Sequence, residues 1–141
     1  MGRIMAIDYG LKRVGLSVTD PLQIIASPLT TVAANDTLTF LQTYVKKENV
    51  EAFVVGYPTD IKDKNTPIIV AISQFIELLQ RNFPDQQIFQ HDERYTSKLA
   101  AASLVEGGFK KKDRRNKENL DKLSATIILQ SFLSSYKRHY I

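Results

Sequence analysis

A chain of 141 residues with 43% hydrophobic residues has the size and composition of one globular domain, spanning 1–141. It has no cysteine and only two histidines, His91 and His139, which excludes disulfide staples, thiolate metal sites and a histidine-rich zinc site; any metal would sit on oxygen ligands, which favours magnesium or manganese. The formal net charge is +4, and Lys110, Lys111, Lys112, Arg114, Arg115 and Lys117, set against Asp113, carry +5 of it, leaving the remainder at −1.

Arg3 to Asp8 is predicted as a strand and Arg13 to Thr19 as a second, joined tightly by Tyr9-Gly10-Leu11-Lys12 in a hairpin. Ile24 to Val32 is the third strand, with Pro28 putting it near an edge or a bulge. Asn35 and Asp36 are good N-caps for a helix running to about Glu48, with Leu38, Leu41 and Val45 on one face. The continuous apolar run Ala-Phe-Val-Val within Glu51 to Gly56 predicts a buried parallel strand. Thr66-Pro67 then opens a helix carrying Ile69, Ile72, Ile76, Leu79 and Phe83 at helical spacing. Gln87 to Glu93 is the next strand. Thr96 or Ser97 caps a helix that stops at Gly107-Gly108, and the last helix runs from about Asn119 to Arg138. The order predicts an α/β fold in which an antiparallel meander continues into parallel units, a mixed sheet of five strands with helices on both faces.

Three carboxylates stand out by position. Asp8 ends the first strand on the face of Ile4 and Ala6, where an ionised group is costly unless it is hydrogen-bonded or bound to a cation; a turn-forming aspartate in Asp-Tyr-Gly is the plain alternative. Asp121 begins a stripe continued by Ala125, Ile128 and Phe132, so it faces inward. The helix N-terminus explains an acidic residue in a first turn but not that direction. Glu93 ends the fifth strand, where sites collect in α/β sheets, although an ordinary polar loop would also fit. Asp92 and Glu93 alternate in direction, so one of them reaches Asp8: Glu93 is the choice and Asp92 the alternative. All three should converge on one side of the sheet, with Asp8 on the central strand. Such a trio suits a pair of Mg2+ or Mn2+ ions about 3.5–4 Å apart that cleave a phosphodiester.

Four blocks together resemble the YqgF (RuvX) family of Holliday junction resolvase-like nucleases in the ribonuclease H-like superfamily. They are Ile7-Asp8-Tyr9-Gly10-Leu11-Lys12-Arg13-Val14-Gly15-Leu16-Ser17, Val54-Val55-Gly56-Tyr57-Pro58, Asp92-Glu93-Arg94-Tyr95-Thr96-Ser97, and Asp121 through Gln130. The resemblance covers nearly the whole chain. It implies a ribonuclease H-like fold, a metal-binding aspartate at Asp8, an acidic partner at Glu93 and an aspartate at a helix start at Asp121. It implies a cytoplasmic nuclease that processes the 5′ end of the 16S ribosomal RNA precursor, with resolution of branched DNA as the alternative. Ser124 stands where the family often has alanine, and the loop 59–65 lacks a glycine often found there.

The basic segment is either a solvated loop or a contact for a polyanion. On the second reading Lys111, Lys112, Arg114 and Arg115, with Lys12, Arg13 and Arg94, contact substrate phosphates without reading sequence. Structured RNA is the favoured partner, within a ribosome precursor, and branched DNA the alternative. No apolar run approaches the roughly 20 residues that span a membrane and Met1 to Met5 carry no signal-peptide core, so a cytoplasmic protein is expected. Two rivals remain. One is a non-catalytic RNA- or ribosome-binding assembly factor, which would gain nothing from clustered carboxylates. The other is an actin-like nucleotide-binding lobe, for which Asp8, Gly10 and Gly15 would form a phosphate loop but a second lobe would be needed.

Overall fold

The computed structural model describes residues 2–58, 65–92 and 117–138. The chain forms β1 (Arg3–Tyr9), β2 (Arg13–Thr19) and β3 (Ala26–Ala33), a 3-10 turn (Ala34–Asp36), α1 (Thr37–Lys47), β4 (Val50–Tyr57), α2 (Pro67–Asn82), β5 (Gln87–Asp92) and α3 (Lys117–Arg138). The five strands lie in the order β3-β2-β1-β4-β5. β2 is antiparallel to both β1 and β3, whereas β4 runs parallel to β1 and β5 parallel to β4. This is the expected mixed sheet, with β1 at its centre.

Burial explains why β1 is central. Ile4, Met5, Ala6 and Ile7 are each at most 1% exposed, so both faces of this strand must be covered. On one face Met5, Ile7, Leu16, Phe53 and Val55 pack with Leu41 of α1 and with Ile72, Phe75, Ile76 and Leu79 of α2. On the other, Ile4, Ala6, Ala52 and Val54 pack with Ile128, Leu129, Phe132 and Leu133 of α3. Burial on α3 is wider than the single stripe read from the sequence, because every residue from Ala125 to Leu129 is buried. Among the described residues no helix is long and apolar enough to cross a membrane.

The third strand differs from expectation at its start. Ile24 and Ile25 lie in the preceding turn, not in β3, and are 56% and 63% exposed. Their N–H groups donate to Asp20 Oδ1 at 2.8 and 2.7 Å, and that of Leu22 to Oδ2 at 3.1 Å, so the side chain of Asp20 takes donors that a ladder would otherwise use. These bonds, that from Ile25 first, hold the Asp20 carboxyl below its ordinary range. Gln23 adopts φ 60° and buries its amide, which donates to Gly2 O at 2.7 Å and to the Glu51 carboxylate. Pro28 sits on an edge strand as expected, beside a bulge: Leu16 pairs with Thr30 and Ser17 with Pro28, leaving Leu29 over.

The helix starts hold a second difference. Asp36 and Thr66 occupy the N-cap positions of α1 and α2, with Pro67 in the first turn, but neither side chain makes a capping bond. Thr37 donates instead to Ala33 O at 3.1 Å. The expected helix starting at Thr96 or Ser97 falls outside the described residues.

Candidate functional site

The β1–β2 hairpin fixes which side chains share a face. Its register pairs Asp8 with Gly15 and Ala6 with Ser17, and directly opposed residues of an antiparallel pair point the same way. Ala6 packs against the α3 side, so Asp8, Arg13, Gly15 and Ser17 all face α3. The hairpin is tight because Gly10 has no side chain: a Cβ there would come within 2.5 Å of the Arg13 carbonyl oxygen. Tyr9, pointing the other way, stacks on Phe75 with ring centroids 4.5 Å apart and anchors the end of β1.

Gly15 brings the helix to the strand. A Cβ on it would lie 2.1 Å from the backbone oxygen of Asp121 and 3.0 Å from the Asp121 Cβ. The backbone of α3 therefore rests on the bare surface of β2. Asp8 lies one cross-strand spacing from that glycine, about 4.5–5.5 Å. Asp8 and Asp121, 113 positions apart in the chain, thus come onto one face at the end of the central strand. Both are partly buried.

Arg13 completes this corner. Its Nε donates to Asp121 Oδ2 at 3.1 Å, with the side chains 39% and 28% exposed. An ion pair this accessible is worth about 0.2–1 kcal/mol. The sequence predicts Arg13 as a phosphate contact in the turn; in the structure it opens β2 and is held by Asp121. Strand alternation from Gly15 gives the direction of Arg13, but nothing local in the sequence identifies a partner 108 positions away. Lys12, at the hairpin, is exposed. Ser17, next on this face, buries an Oγ with no hydrogen-bond partner among the described residues.

At the other end of the face, β5 separates its two candidate side chains. His91 is in register with Gly56 and Asp92 with Tyr57. His91 faces α3, where Nε2 lies 2.8 Å from Ser131 Oγ and the ring meets Phe132 edge-on at 6.2 Å. Burial depresses its pKa, against a smaller upward pull from Asp92. Tyr57 packs with the α1/α2 core, so alternation turns Asp92 to the face away from Asp8. That weighs against Asp92 as a ligand. Glu93, Arg94, Lys111, Lys112, Arg114 and Arg115 lie outside the described residues.

The donors brought together suit a hard divalent cation: two carboxylates, from β1 and α3, with no thiolate in the chain. Among the described residues no group of three or more His, Cys, Asp or Glu forms a metal cluster. Asp8 and Asp121 are two of the three carboxylates expected from the sequence, and the third, Glu93, lies outside the described residues.

Comparison with known proteins bears on the family and the fold. A family model described as "RuvX: Holliday junction resolvase" matches residues 2–135. A protein of Phocaeicola vulgatus named "Putative pre-16S rRNA nuclease" is 49% identical, over 97% of this chain and 99% of its own length. A Porphyromonas gingivalis protein of the same name is 46% identical, over 98% and 100%. Among solved structures, T. thermophilus RuvC in complex with a Holliday junction substrate aligns with a TM-score of 0.60 over 96% of both chains, at 16% identity. At that identity the likeness speaks for the fold, which is ribonuclease H-like.

Proposed function

The chain belongs to the RuvX family, and from that membership we propose that it is a metal-dependent nuclease that hydrolyses phosphodiester bonds at the 5′ end of the 16S ribosomal RNA precursor in the cytoplasm. The names of its relatives support the substrate. The observation that carries the chemistry is the meeting of Asp8 and Asp121 on one sheet face across Gly15. Clustered carboxylates repel a polyanion, so a protein built only to bind RNA has no use for them there.

In this reading Asp8 and Asp121 hold Mg2+ or Mn2+, and Glu93 is the third ligand. A cation held by these carboxylates would supply Lewis acidity for phosphodiester hydrolysis. Asp8 is pinned in direction by its strand, and Asp121 by the seating of α3 on Gly15. Lys12, Arg94, Lys111, Lys112, Arg114 and Arg115 attract and orient phosphates, a sequence-independent role.

The test is cleavage of an RNA spanning the precursor 5′ end, alongside duplex RNA and a four-way DNA junction, in Mg2+, Mn2+ or EDTA. Wild type should cut the precursor in either metal and stop in EDTA. Asp8→Asn should reduce cleavage by about a hundredfold or more while still folding and binding RNA. Cutting of the junction alone would move the substrate to branched DNA. Equal cleavage by wild type and Asp8→Asn would remove the mechanism.

A further inference from the structure

The carboxylate of Asp121 serves two claims. It lies on the sheet face that also carries Asp8, and one of its oxygens accepts a hydrogen bond from Arg13 Nε at 3.1 Å. The contact is through Nε alone, not the paired bonds of a guanidinium fork, and both side chains remain reachable by water. The next residue inward on this face of β2 is Gly15, which has no side chain to stand between Arg13 and the start of α3.

A structural clip is a weak explanation for this bond. α3 is already fixed by Ala125, Ile128, Leu129 and Phe132, buried between 0% and 7% exposed. A water-accessible ion pair adds little to such an anchor. At the site the pair has a more specific consequence. A guanidinium bonded to Asp121, on the face that also carries Asp8, offsets part of the repulsion between the two carboxylates. It also holds an oxygen that a divalent ion would need.

We infer that Arg13 is a positioning residue that holds Asp121 in the metal-free site and competes with the divalent cation for its carboxylate, so that metal loading requires the Arg13–Asp121 bond to open. The inference rests on reading Asp8 and Asp121 as metal ligands. It concerns binding of the metal, before any cleavage.

The experiment is direct titration of the full chain with Mn2+ at low salt, followed by calorimetry, for wild type, Arg13→Gln, Lys12→Gln and Asp8→Asn. Arg13→Gln should bind Mn2+ more tightly, by about 1.5- to 5-fold, the worth of an accessible ion pair. Lys12→Gln removes the same charge one residue away without touching this bond, and should shift affinity by less than Arg13→Gln. Asp8→Asn should bind far more weakly than wild type. Should Arg13→Gln fail to fold, Arg13→Lys carries the test, because an ammonium on a flexible stem replaces the planar group; it too must bind Mn2+ more tightly than wild type. Unchanged or weaker binding on loss of Arg13, with Asp8→Asn still defective, overturns the inference and leaves the site intact. An equal gain in Lys12→Gln overturns it as well, since the effect would then be one of general charge. If Asp8→Asn binds like wild type, the reading of the site fails and the inference falls with it.

Discussion

The two faces of the sheet are built from different residues for different ends. Toward α1 and α2 the strands present Met5, Ile7, Leu16, Phe53 and Val55, large side chains that interlock with Leu41, Ile72, Phe75 and Leu79. Toward α3 they present Ile4 and Val54 together with the smaller Ala6, Gly15, Ser17 and Ala52, and at the end of β1 this face turns charged, with Asp8, Arg13 and Asp121. Large residues fill a dry core and hold the fold. Small ones let a helix backbone come close enough to deliver a carboxylate to a neighbouring strand. The contrast teaches that the site is made by removing side chains as much as by adding functional ones.

The sharpest way to break this comparison is to damage one face and ask what the other loses. Phe53 is fully buried against Phe83, with ring centroids 5.0 Å apart. Phe53→Ala should cost about 3–5 kcal/mol of stability, read from urea unfolding. The protein that remains folded should bind Mn2+ as wild type does; lost binding in that fraction would mean the faces are not separable.

Gly15→Ala is the complementary change. Alanine in a strand ordinarily costs less backbone entropy than glycine, so propensity alone predicts a gain. Here the new Cβ would meet the Asp121 backbone oxygen at 2.1 Å and its carbonyl carbon at 2.4 Å, and backbone cannot yield as a flexible side chain does. The expected result is a loss of about 1–3 kcal/mol together with weakened Mn2+ binding. A stabilised Gly15→Ala protein with normal metal affinity would refute the close seating of α3.

The smallest expected effect sharpens the contrast through pH. His91 is on the α3 face, with its pKa depressed chiefly by burial. The unfolded chain then takes up a proton at a higher pH than the folded one. Stability from this group is full above the ordinary value of 6.5 and is lost as pH falls from there through the lower folded pKa. His91→Gln should flatten the fall of the melting temperature across that window, a modest change because the ring is only half-buried. An unchanged slope would assign the pH dependence to other groups.

Much of this division was legible in the residues. The alternation of Ile4, Ala6 and Asp8 gave the direction of Asp8, and the stripe from Asp121 to Phe132 gave that of Asp121. The apolar run in β4 correctly marked a strand buried on both sides. What escaped was set by tertiary partners. Ile24-Ile25 has the look of a strand, but Asp20 and Gln23 fold it into a turn with local hydrogen bonds. The pairing of Arg13 with Asp121 was not legible, because that partner lies on the last helix. The direction of Asp92 needed the β4–β5 register, which pairs it with Tyr57. Glu93 and the basic residues from Lys110 to Arg115 lie outside the described residues, so their roles rest on sequence.

The most direct test of the central claim, that Asp8 and Asp121 form one metal site on the α3 face, is anomalous diffraction from crystals of the protein grown with Mn2+. The account predicts a manganese peak within coordination distance, about 2.0–2.6 Å, of carboxylate oxygens of both residues. A well-occupied manganese bound elsewhere, with Asp8 and Asp121 coordinating nothing, would contradict it.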